Sequence, residues 1–396
     1  MTLLSVAEAH ARLMGLFSSV GTEEVPLAAA AGRVLARDVV AARPQPPFPA
    51  SAMDGYAIRA QDAKTGARLK IVGTSVAGAR FAGTVGAGEA VRIFTGAPVP
   101  EGADMILIQE DADRTSDSIT VRDGYDRSRF IRSAGADFEQ GARMSAPRRL
   151  GVKDIALLAA MGMGTVAVSR RPRIAVIPTG DELVMPGEVP ERDQIYASNN
   201  LALKALLESA GAEAQLLPIA RDTPESLAGA FDLVSGADAI VTLGGASVGD
   251  FDIVQATALA KGLTLDFYRV AMRPGKPLMA GRFADVPLVG LPGNPVSAIV
   301  CGHLFLKPAV ERMLGLSGEP ARSHAARLGC ALGRNGPRAH YMRAFVDTDR
   351  DAWICTPFPR QDSALLSVLA DSNALLVREP HDPERQIGDL VEFIWI

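Results

Sequence analysis

The stretch RIAVIPTGDEL, at residues 173–183, decides the fold of the central part of the chain. It begins with an apolar run at residues 174–177 and continues directly into a loop that contains a glycine and two acids. A short apolar run bounded by turn-forming residues is typical of a buried strand. The stretch therefore predicts a strand whose carboxyl end carries polar side chains.

The same pattern returns twice further along the chain. Apolar runs at residues 239–243 and 288–291 lead into the loops GGASVGDFD and PGNPVS. A helical pattern at residues 200–210 lies between the first two runs and ends at Gly211. Strands that alternate with helices predict a mostly parallel sheet over residues 171–317. Because the carboxyl ends of such strands lie at one edge of the sheet, we expect the three loops to converge on one crevice.

The three loops carry groups that suit an anionic ligand. Asn294 and Pro295 are typical of a helix start, where free N–H groups bind oxyanions. The loops also contain four acids of the kind that hold Mg²⁺ or orient water: Asp181, Glu182, Asp250 and Asp252. Asp181 and Asp250 could instead cap helices or be solvated loop charges, and that alternative stays open.

The segment YRVAMRPGKP, at residues 268–277, supplies positive charge in an otherwise acidic chain. It brings Arg269, Arg273 and Lys276 close together in sequence, and such side chains bind oxyanions through charge-assisted hydrogen bonds. A solvated cationic strand end is the alternative interpretation of this segment alone.

The N-terminal and C-terminal parts have different patterns. A capping box at Ser5 and Glu8 starts a helix, and further helices are expected at residues 27–36 and 152–161. The prolines and glycines of the stretch between them interrupt short apolar strands. We therefore predict a helical domain (1–44 and 141–170), an inserted β domain (45–140) and, from the short alternating strands near the end, a C-terminal β domain (318–396).

The composition excludes several classes of protein. The formal net charge is −4, so no general basic field attracts nucleic acid. No stretch is apolar enough to span a membrane, and the N-terminus does not resemble a signal peptide. The three cysteines fit no zinc or disulfide framework, which favours a reducing compartment such as the cytoplasm.

Six motifs occur in one order along the chain: SAMDGYA, IFTGAPVPEGAD, PTGDEL, GGASVGDFD, MRPGKP and GLPGNPVSA. In this order they closely resemble the molybdopterin molybdenumtransferase family, which includes the MoeA and gephyrin E-domain proteins. The resemblance runs from about residue 5 to the C-terminus. It gives a function to Asp54, Thr95 and Asp137, which from the residues alone are ordinary parts of glycine turns.

The resemblance implies a multidomain α/β plus β fold. Its four parts are an N-terminal helical domain, an inserted β domain, a three-layer α/β domain with a mostly parallel sheet, and a C-terminal β barrel. Members of the family are homodimers, with the active site between the α/β domain of one subunit and the inserted β domain of the other. The further partners implied are the pterin adenylyltransferase and the acceptor molybdoenzymes.

The resemblance also implies a reaction and its residues. Molybdate is inserted into adenylylated molybdopterin, AMP is released, and Mg²⁺ assists. The catalytic group would be Asp54, Thr95, Asp137, Glu182, Asp222, Asp252 and Lys276, with Glu182 and Asp252 as the metal ligands. Pterin and phosphate would be held by Thr179, Gly180, Asp181, Gly244, Gly245, Ser247, Asp250, Pro292, Gly293 and Asn294. Molybdate would be bound by Arg269, Arg273, Lys276, Ser297, Arg343 and Ser363.

Three alternative functions stay open from the sequence. A paralogue that prefers tungstate, or a specialised one that feeds a particular downstream cofactor, is suggested by Arg269 and Arg273, where the family often has lysine. A non-catalytic dimeric scaffold that binds pterin would be expected to lack the acids, which this chain keeps. A pterin adenylyltransferase would leave the N-terminal motifs without a function.

Overall fold

The computed structural model describes residues 3–244, 253–349 and 352–396. The first helix, α1 (Val6–Leu16), begins with the predicted capping box. The Ser5 hydroxyl accepts a 3.2 Å hydrogen bond from the Glu8 amide, and the Glu8 carboxylate accepts a 2.9 Å bond from the Ser5 amide. Ala9 and Leu13 are fully buried on one face of α1. The predicted N-terminal helix is therefore confirmed.

Three short strands follow α1 before the chain enters the insertion: β1 (Thr22–Pro26), β2 (Val34–Leu35) and β3 (Val39–Val40). The helix expected at residues 27–36 was wrong. Only one 3₁₀ turn forms there, at Leu27–Ala29, and Gly32 then takes a left-handed conformation with φ of +78°. Because a left-handed glycine ends a helix, the apolar residues after it extend as β2.

The inserted unit is a β structure, as predicted. Its strands are β4 (Ala50–Ser51), β5 (Gly55–Ile58), β6 (Arg68–Ser75), β7 (Glu89–Ile93), β8 (Met105–Ile108), β9 (Ala112–Arg114), β10 (Ser118–Val121) and β11 (Ile131–Arg132). Six of them form a sheet in the order β8-β5-β7-β6-β10-β9. Buried side chains cover both faces of this sheet, with Tyr56 and Leu69 in one cluster and Val91 and Ile106 in another.

After the insertion the chain returns to the first unit. It adds β12 (Arg143–Met144), β13 (Arg148–Arg149), the predicted helix α2 (Val152–Ala160) and β14 (Thr165–Ser169). The four-stranded sheet here has the order β1-β14-β2-β13, so it joins strands from both sides of the insertion. The unit expected to be helical is thus built around a small sheet, with α1 and α2 as the helices among its described residues.

The α/β unit has the predicted alternation. Its strands are β15 (Arg173–Pro178), β16 (Leu183–Val184), β17 (Ile195–Tyr196), β18 (Glu213–Leu216), β19 (Ala239–Leu243), β20 (Leu263–Tyr268), β21 (Met272–Arg273), β22 (Met279–Phe283) and β23 (Val286–Leu291). Its helices are α3 (Ser198–Ala210), α4 (Pro224–Asp232), α5 (Ile253–Ala260), α6 (Pro295–Cys301) and α7 (Lys307–Met313), and a π-helical turn at Gly302–Leu306 joins the last two.

The main sheet of this unit is mostly parallel. Its order is β18-β15-β19-β23-β22-β20, in which the first four strands run parallel and the last two join antiparallel. β15, β19 and β23 lie side by side, and their residues are almost all buried. Their carboxyl ends therefore meet at one edge of the sheet, as the sequence predicted.

The C-terminal unit is a closed barrel. Its strands are β24 (His324–Leu328), β25 (Ala339–Asp349), β26 (Ala352–Pro357), β27 (Ala374–Arg378) and β28 (Leu390–Trp395), and a short helix, α8 (Leu366–Ala370), precedes β27. The order β25-β26-β24-β28-β27 closes because β27 also pairs with β25. The short strand β21 of the α/β unit pairs with β25 and so connects the two units.

None of the helices in the described parts of the chain combines the length and apolar character that crossing a membrane requires.

Candidate active site

A cavity of about 610 Å³ opens at the carboxyl ends of β15, β19 and β23. Nine of the residues selected from the sequence line it: Thr179, Gly180, Glu182, Asp222, Gly244, Lys276, Pro292, Gly293 and Asn294. These residues come from five separate segments of the α/β unit, and the sheet topology brings them together.

Backbone hydrogen bonds hold the strand-end loops close to each other. The Thr179 amide donates to the Leu243 carbonyl over 2.8 Å, and the Gly244 amide donates to the Leu291 carbonyl over 3.1 Å. Gly244 has φ of +99°, and a Cβ on it would lie 2.5 Å from the Thr179 carbonyl oxygen. Glycine is therefore required at 244, because any side chain would push the first two loops apart.

Carboxylates occupy one side of the cavity. The Asp181 carboxylate accepts a 3.1 Å hydrogen bond from the Asp222 amide, and the Arg221 guanidinium donates to the Asp181 carbonyl over 2.7 Å. Burial raises the pKa of Asp222, and the neighbouring charges of Asp181 and Glu182 raise it further. Three acids therefore lie close enough to repel one another. Asp181 fixes this turn and does not itself line the cavity.

The cationic segment at residues 268–277 contributes one residue to the cavity and pairs with the barrel at another. Lys276 is half-buried and lines the cavity, whereas neither arginine of the segment does. Arg269 has φ of +77°, and its guanidinium lies 4.8 Å from the centre of the Tyr268 ring. Arg273 is exposed and stands in register with His340 of β25, whose pKa is lowered to about 4 by burial and by the charge of Arg273.

The helix after the PGNP turn starts as predicted, with one difference. Asn294 occupies the N-cap position of α6 and Pro295 the first helical position, but the Asn294 side chain makes no capping hydrogen bond. The Val296 amide, expected to face a ligand, donates instead to the Ser363 carbonyl over 3.1 Å. The segment around Ser363 thus belongs to this edge of the cavity, and Ala364 lines it directly. Ser297 is buried within α6.

Arg343 is fully buried in the barrel, and it does not line the cavity. Its guanidinium donates to the Gln361 side chain and to backbone carbonyls of the segment at residues 360–365, the shortest bond being 2.8 Å to the Asp362 carbonyl. Most of the donors that a direct molybdate ligand would use are therefore already bound to protein oxygens. Arg343 positions the segment that contacts α6.

The motifs of the insertion form a separate arrangement. One Asp54 oxygen accepts hydrogen bonds from the Thr95 amide over 2.7 Å and from the Thr95 hydroxyl over 2.9 Å. These bonds lower the pKa of Asp54. Asp137 is exposed, and its amide donates to the Gln45 carbonyl. Within one chain, none of these three residues lines the cavity of the α/β unit.

Four predicted site residues, Gly245, Ser247, Asp250 and Asp252, lie outside the described residues. The predicted metal pair of Glu182 and Asp252 is therefore described only at Glu182. Among the described residues, no three histidine, cysteine or acidic side chains are grouped closely enough to hold a metal ion by themselves.

Two features of the cavity were not predicted from the sequence. The Asn199 side chain, at the start of α3, donates to the Gly293 carbonyl over 2.6 Å and so connects α3 to the PGNP turn. Ile195 and Tyr196 line the cavity from β17. The run QIYASNN, a short apolar pair before polar helix-start residues, was the only local signal for either.

Comparisons with known proteins agree with this arrangement. The MoeA N-terminal region (domains I and II) matches residues 4–162, the probable molybdopterin-binding domain matches 175–312, and the MoeA C-terminal region (domain IV) matches 325–396.

Two curated relatives match most of the chain. Molybdopterin molybdenumtransferase 2 of Mycobacterium tuberculosis is 37% identical over 370 residues, which are 89% of this chain and 89% of that protein. Molybdopterin molybdenumtransferase of Haemophilus influenzae is 32% identical over 375 residues, which are 93% of each chain. The crystal structure of a molybdopterin biosynthesis MoeA protein from Pyrococcus horikoshii is 30% identical, with a TM-score of 0.85 over 100% of this chain and 99% of that one. The chain therefore belongs to the molybdopterin molybdenumtransferase (MoeA) family of molybdenum cofactor biosynthesis.

Proposed function

We propose that this chain inserts molybdate into adenylylated molybdopterin and releases AMP. The observation that carries the proposal is the cavity with opposite charges at its sides, which has Glu182 and Asp222 on one side and Lys276 on another. The phosphates of the substrate need a cation such as Mg²⁺, which carboxylates can hold. Molybdate, the second oxyanion, needs a cation of its own. The cavity supplies residues for both in one place.

Lys276 is the residue that would bind molybdate. Its ammonium group offers three donors to the oxygens of a compact anion, and it is half-buried, which strengthens a charge-assisted hydrogen bond. The segment around Ser363 contacts the start of α6 at an edge of the cavity, where Ala364 lines it, and Ser297 is buried within α6. We assign molybdate to this edge and the phosphates to the glycine loops at residues 179–180 and 292–294.

The acids at the other side fit a magnesium ion. Burial raises the pKa of Asp222, and the charges of Asp181 and Glu182 raise it further, so the negative charge of Asp222 is poorly compensated within the protein. Mg²⁺ is usually held by one or two carboxylates together with substrate phosphates. Glu182 and Asp252 would be the protein ligands, and the ion would neutralise the phosphates and polarise the phosphoanhydride.

We further propose that the active form is a homodimer in which a second copy brings Asp54, Thr95 and Asp137 to the cavity. Support comes from the Asp54 carboxylate, which Thr95 holds in place by two hydrogen bonds although neither residue is among the described ones that line the cavity of its own chain. Met53 and Phe94 beside this pair are exposed apolar side chains, at 40% and 37% of their full exposure. An interface would cover them.

The cellular setting is part of the same proposal. All three cysteines are free thiols, which fits a reducing cytoplasm. The substrate would then come from a pterin adenylyltransferase, and the product would pass to acceptor molybdoenzymes.

The test is AMP release from adenylylated molybdopterin by the purified protein, with Mg²⁺ and with or without molybdate. We expect molybdate-dependent release that disappears in Glu182→Ala and persists in Glu208→Ala, which removes a surface acid of α3. Tungstate measured in parallel separates the tungstate-preferring alternative. Tight pterin binding without release in the presence of either oxyanion would favour the scaffold instead.

A further inference from the structure

One side of the cavity is apolar and aromatic. Ile195 and Tyr196 line it, and they stay 58% and 48% exposed. Tyr196 is the only aromatic residue among the described residues that line the cavity. Nothing in the phosphate or molybdate chemistry uses these side chains.

The position of the two residues is fixed by backbone pairing. β17 runs parallel to β16, with Leu183 opposite Ile195 and Val184 opposite Tyr196. The Ile195 amide donates to the Glu182 carbonyl over 2.8 Å. The aromatic side of the cavity is therefore connected through the backbone to an acid proposed to hold Mg²⁺.

The Tyr196 ring is held at its far end as well. Its hydroxyl donates to the Glu188 carbonyl over 3.3 Å, within the loop that connects β16 to β17. This bond orients the ring while much of its surface stays open. A planar side chain that is oriented in advance binds a flat ligand with little loss of conformational entropy.

Further apolar residues of the cavity suit a flat, weakly polar group. Pro277, Pro292 and Pro295 also line it, and the Asn199 bond to Gly293 keeps the PGNP turn close to the chain segment that follows Tyr196. We propose that Tyr196, with Ile195 beside it, forms the stacking surface for a planar heteroaromatic ring of the substrate. This rests on the proposed function, because adenylylated molybdopterin carries two such rings, adenine and pterin.

The experiment compares ligands with and without a ring by titration calorimetry on the full-length protein. AMP and neopterin monophosphate each carry a ring, and ribose 5-phosphate carries the phosphate alone. We expect Tyr196→Ala to weaken one or both ring ligands about tenfold and to leave ribose 5-phosphate within about twofold. Loss with AMP alone assigns adenine to Tyr196, and loss with neopterin monophosphate alone assigns pterin.

Three variants complete the experiment. Tyr196→Phe keeps the ring but loses the hydroxyl bond to the Glu188 carbonyl, so its affinities should fall much less than those of Tyr196→Ala. Ile195→Ala should weaken the same ring ligand as Tyr196→Ala, though less. Val189→Ala removes an apolar side chain that is 92% exposed in the same loop but does not line the cavity, so it should change nothing.

Several results would overturn the proposal. For Tyr196→Ala, they are an equal loss of affinity for the ring ligands and ribose 5-phosphate, or no loss of affinity for either ring ligand. A loss in Tyr196→Phe as large as in Tyr196→Ala would also overturn it. So would ring ligands that bind the unaltered protein no better than ribose 5-phosphate. Because the readout is binding without molybdate, it is separate from AMP release. A protein that releases no AMP can still pass this test, and an active one can fail it.

Discussion

The backbone amide of Val296 donates a 3.1 Å hydrogen bond to the carbonyl of Ser363, and this bond joins the α/β unit to the barrel at the edge of the cavity. Val296 lies in the first turn of the helix that follows the PGNP turn. Ser363 belongs to the segment held by the buried guanidinium of Arg343. The barrel therefore helps to shape a site whose loops come from another unit.

The first prediction concerns Arg343. Arg343→Ala leaves several carbonyls of the segment at residues 360–365 without a donor in a buried place, which should cost about 3 kcal/mol of stability. We expect the barrel to unfold at a lower temperature, which calorimetry measures. Arg360→Ala is the matched control, because only its carbonyl takes part in the network and its side chain is exposed.

Arg343→Lys separates a positioning role from direct binding. A lysine keeps the charge but cannot reach the same carbonyls, so the segment should loosen. We expect a lower melting temperature together with a raised KM for molybdate and a kcat close to that of the unaltered protein. A variant as stable as the unaltered protein that has lost molybdate binding altogether would show that Arg343 is a ligand.

The second prediction concerns the pH dependence of stability. The folded-state pKa of Asp222 lies above its ordinary value of 3.8. The carboxyl therefore stabilises the folded protein most below about pH 3.8, and this contribution is lost as the pH rises through the raised pKa. Asp222→Asn should melt at a higher temperature than the unaltered protein at pH 7, and the difference should shrink toward acid.

Thermal unfolding from pH 4 to pH 8 gives the comparison. Glu191→Gln, a change of an exposed acid in the same unit, should produce no such trend. Added Mg²⁺ should reduce the advantage of Asp222→Asn, since a cation near Glu182 relieves the repulsion in the unaltered protein. An advantage of Asp222→Asn that is the same at every pH would contradict the electrostatic explanation.

Local patterns accounted for much of the fold. The capping box at Ser5 and Glu8 involves residues three positions apart, so the sequence contains the whole interaction. The strands β15, β19 and β23 are continuous apolar runs, which parallel sheets require. The helix expected at residues 27–36 failed because Leu35 pairs with Arg148 and Val168, far along the chain, and no local pattern contains those contacts.

The site residues show the same difference between local patterns, which the sequence contains, and long-range contacts, which it does not reveal. The strand-end loops were found because each has its own glycine pattern, and topology alone brings them together. The assignment of Arg343 to molybdate rests on the family resemblance alone, since its burial and its contacts with residues 360–365 depend on the closed barrel and have no local pattern. Tyr196 was missed because an exposed tyrosine next to a helix start has no distinctive pattern, and only the cavity gives it a function.

The third prediction concerns Lys276. Lys276→Ala should raise the KM for molybdate about tenfold or more, because it removes a charge-assisted contact to the oxyanion. The affinity for AMP should change little, since we assign the phosphate to the glycine loops. Steady-state kinetics with varied molybdate, and calorimetry with AMP, measure the two effects.

Two further variants serve as comparisons for the effect of Lys276→Ala on molybdate binding. Lys276→Arg keeps the charge and should recover part of the molybdate affinity. Lys204→Ala removes a lysine that only pairs with Glu208 and the Ala214 carbonyl on the surface, so it should leave both constants unchanged. Equal weakening of AMP and molybdate in Lys276→Ala would place this lysine at the phosphate instead.

The last prediction tests whether two copies share one site. Asp54 and Glu182 lie in different units, and in one chain only Glu182 lines the cavity. If the insertion of one copy completes the cavity of the other, a dimer of Asp54→Ala with Glu182→Ala has one site with both acids and one site with neither. Such a dimer, purified through two different tags, should recover about half of the unaltered activity, whereas each variant alone is inactive.

If each chain builds its own site, both sites of the mixed dimer carry a lesion and no activity returns. A mixed dimer of Glu182→Ala with Lys276→Ala, assayed at molybdate far below the raised KM of Lys276→Ala, is the control, because both of these residues line the cavity of the same chain and should not complement. Recovery in the first pair and none in the second would establish the shared site, and equal recovery in both would show that unaltered protein contaminated the preparations.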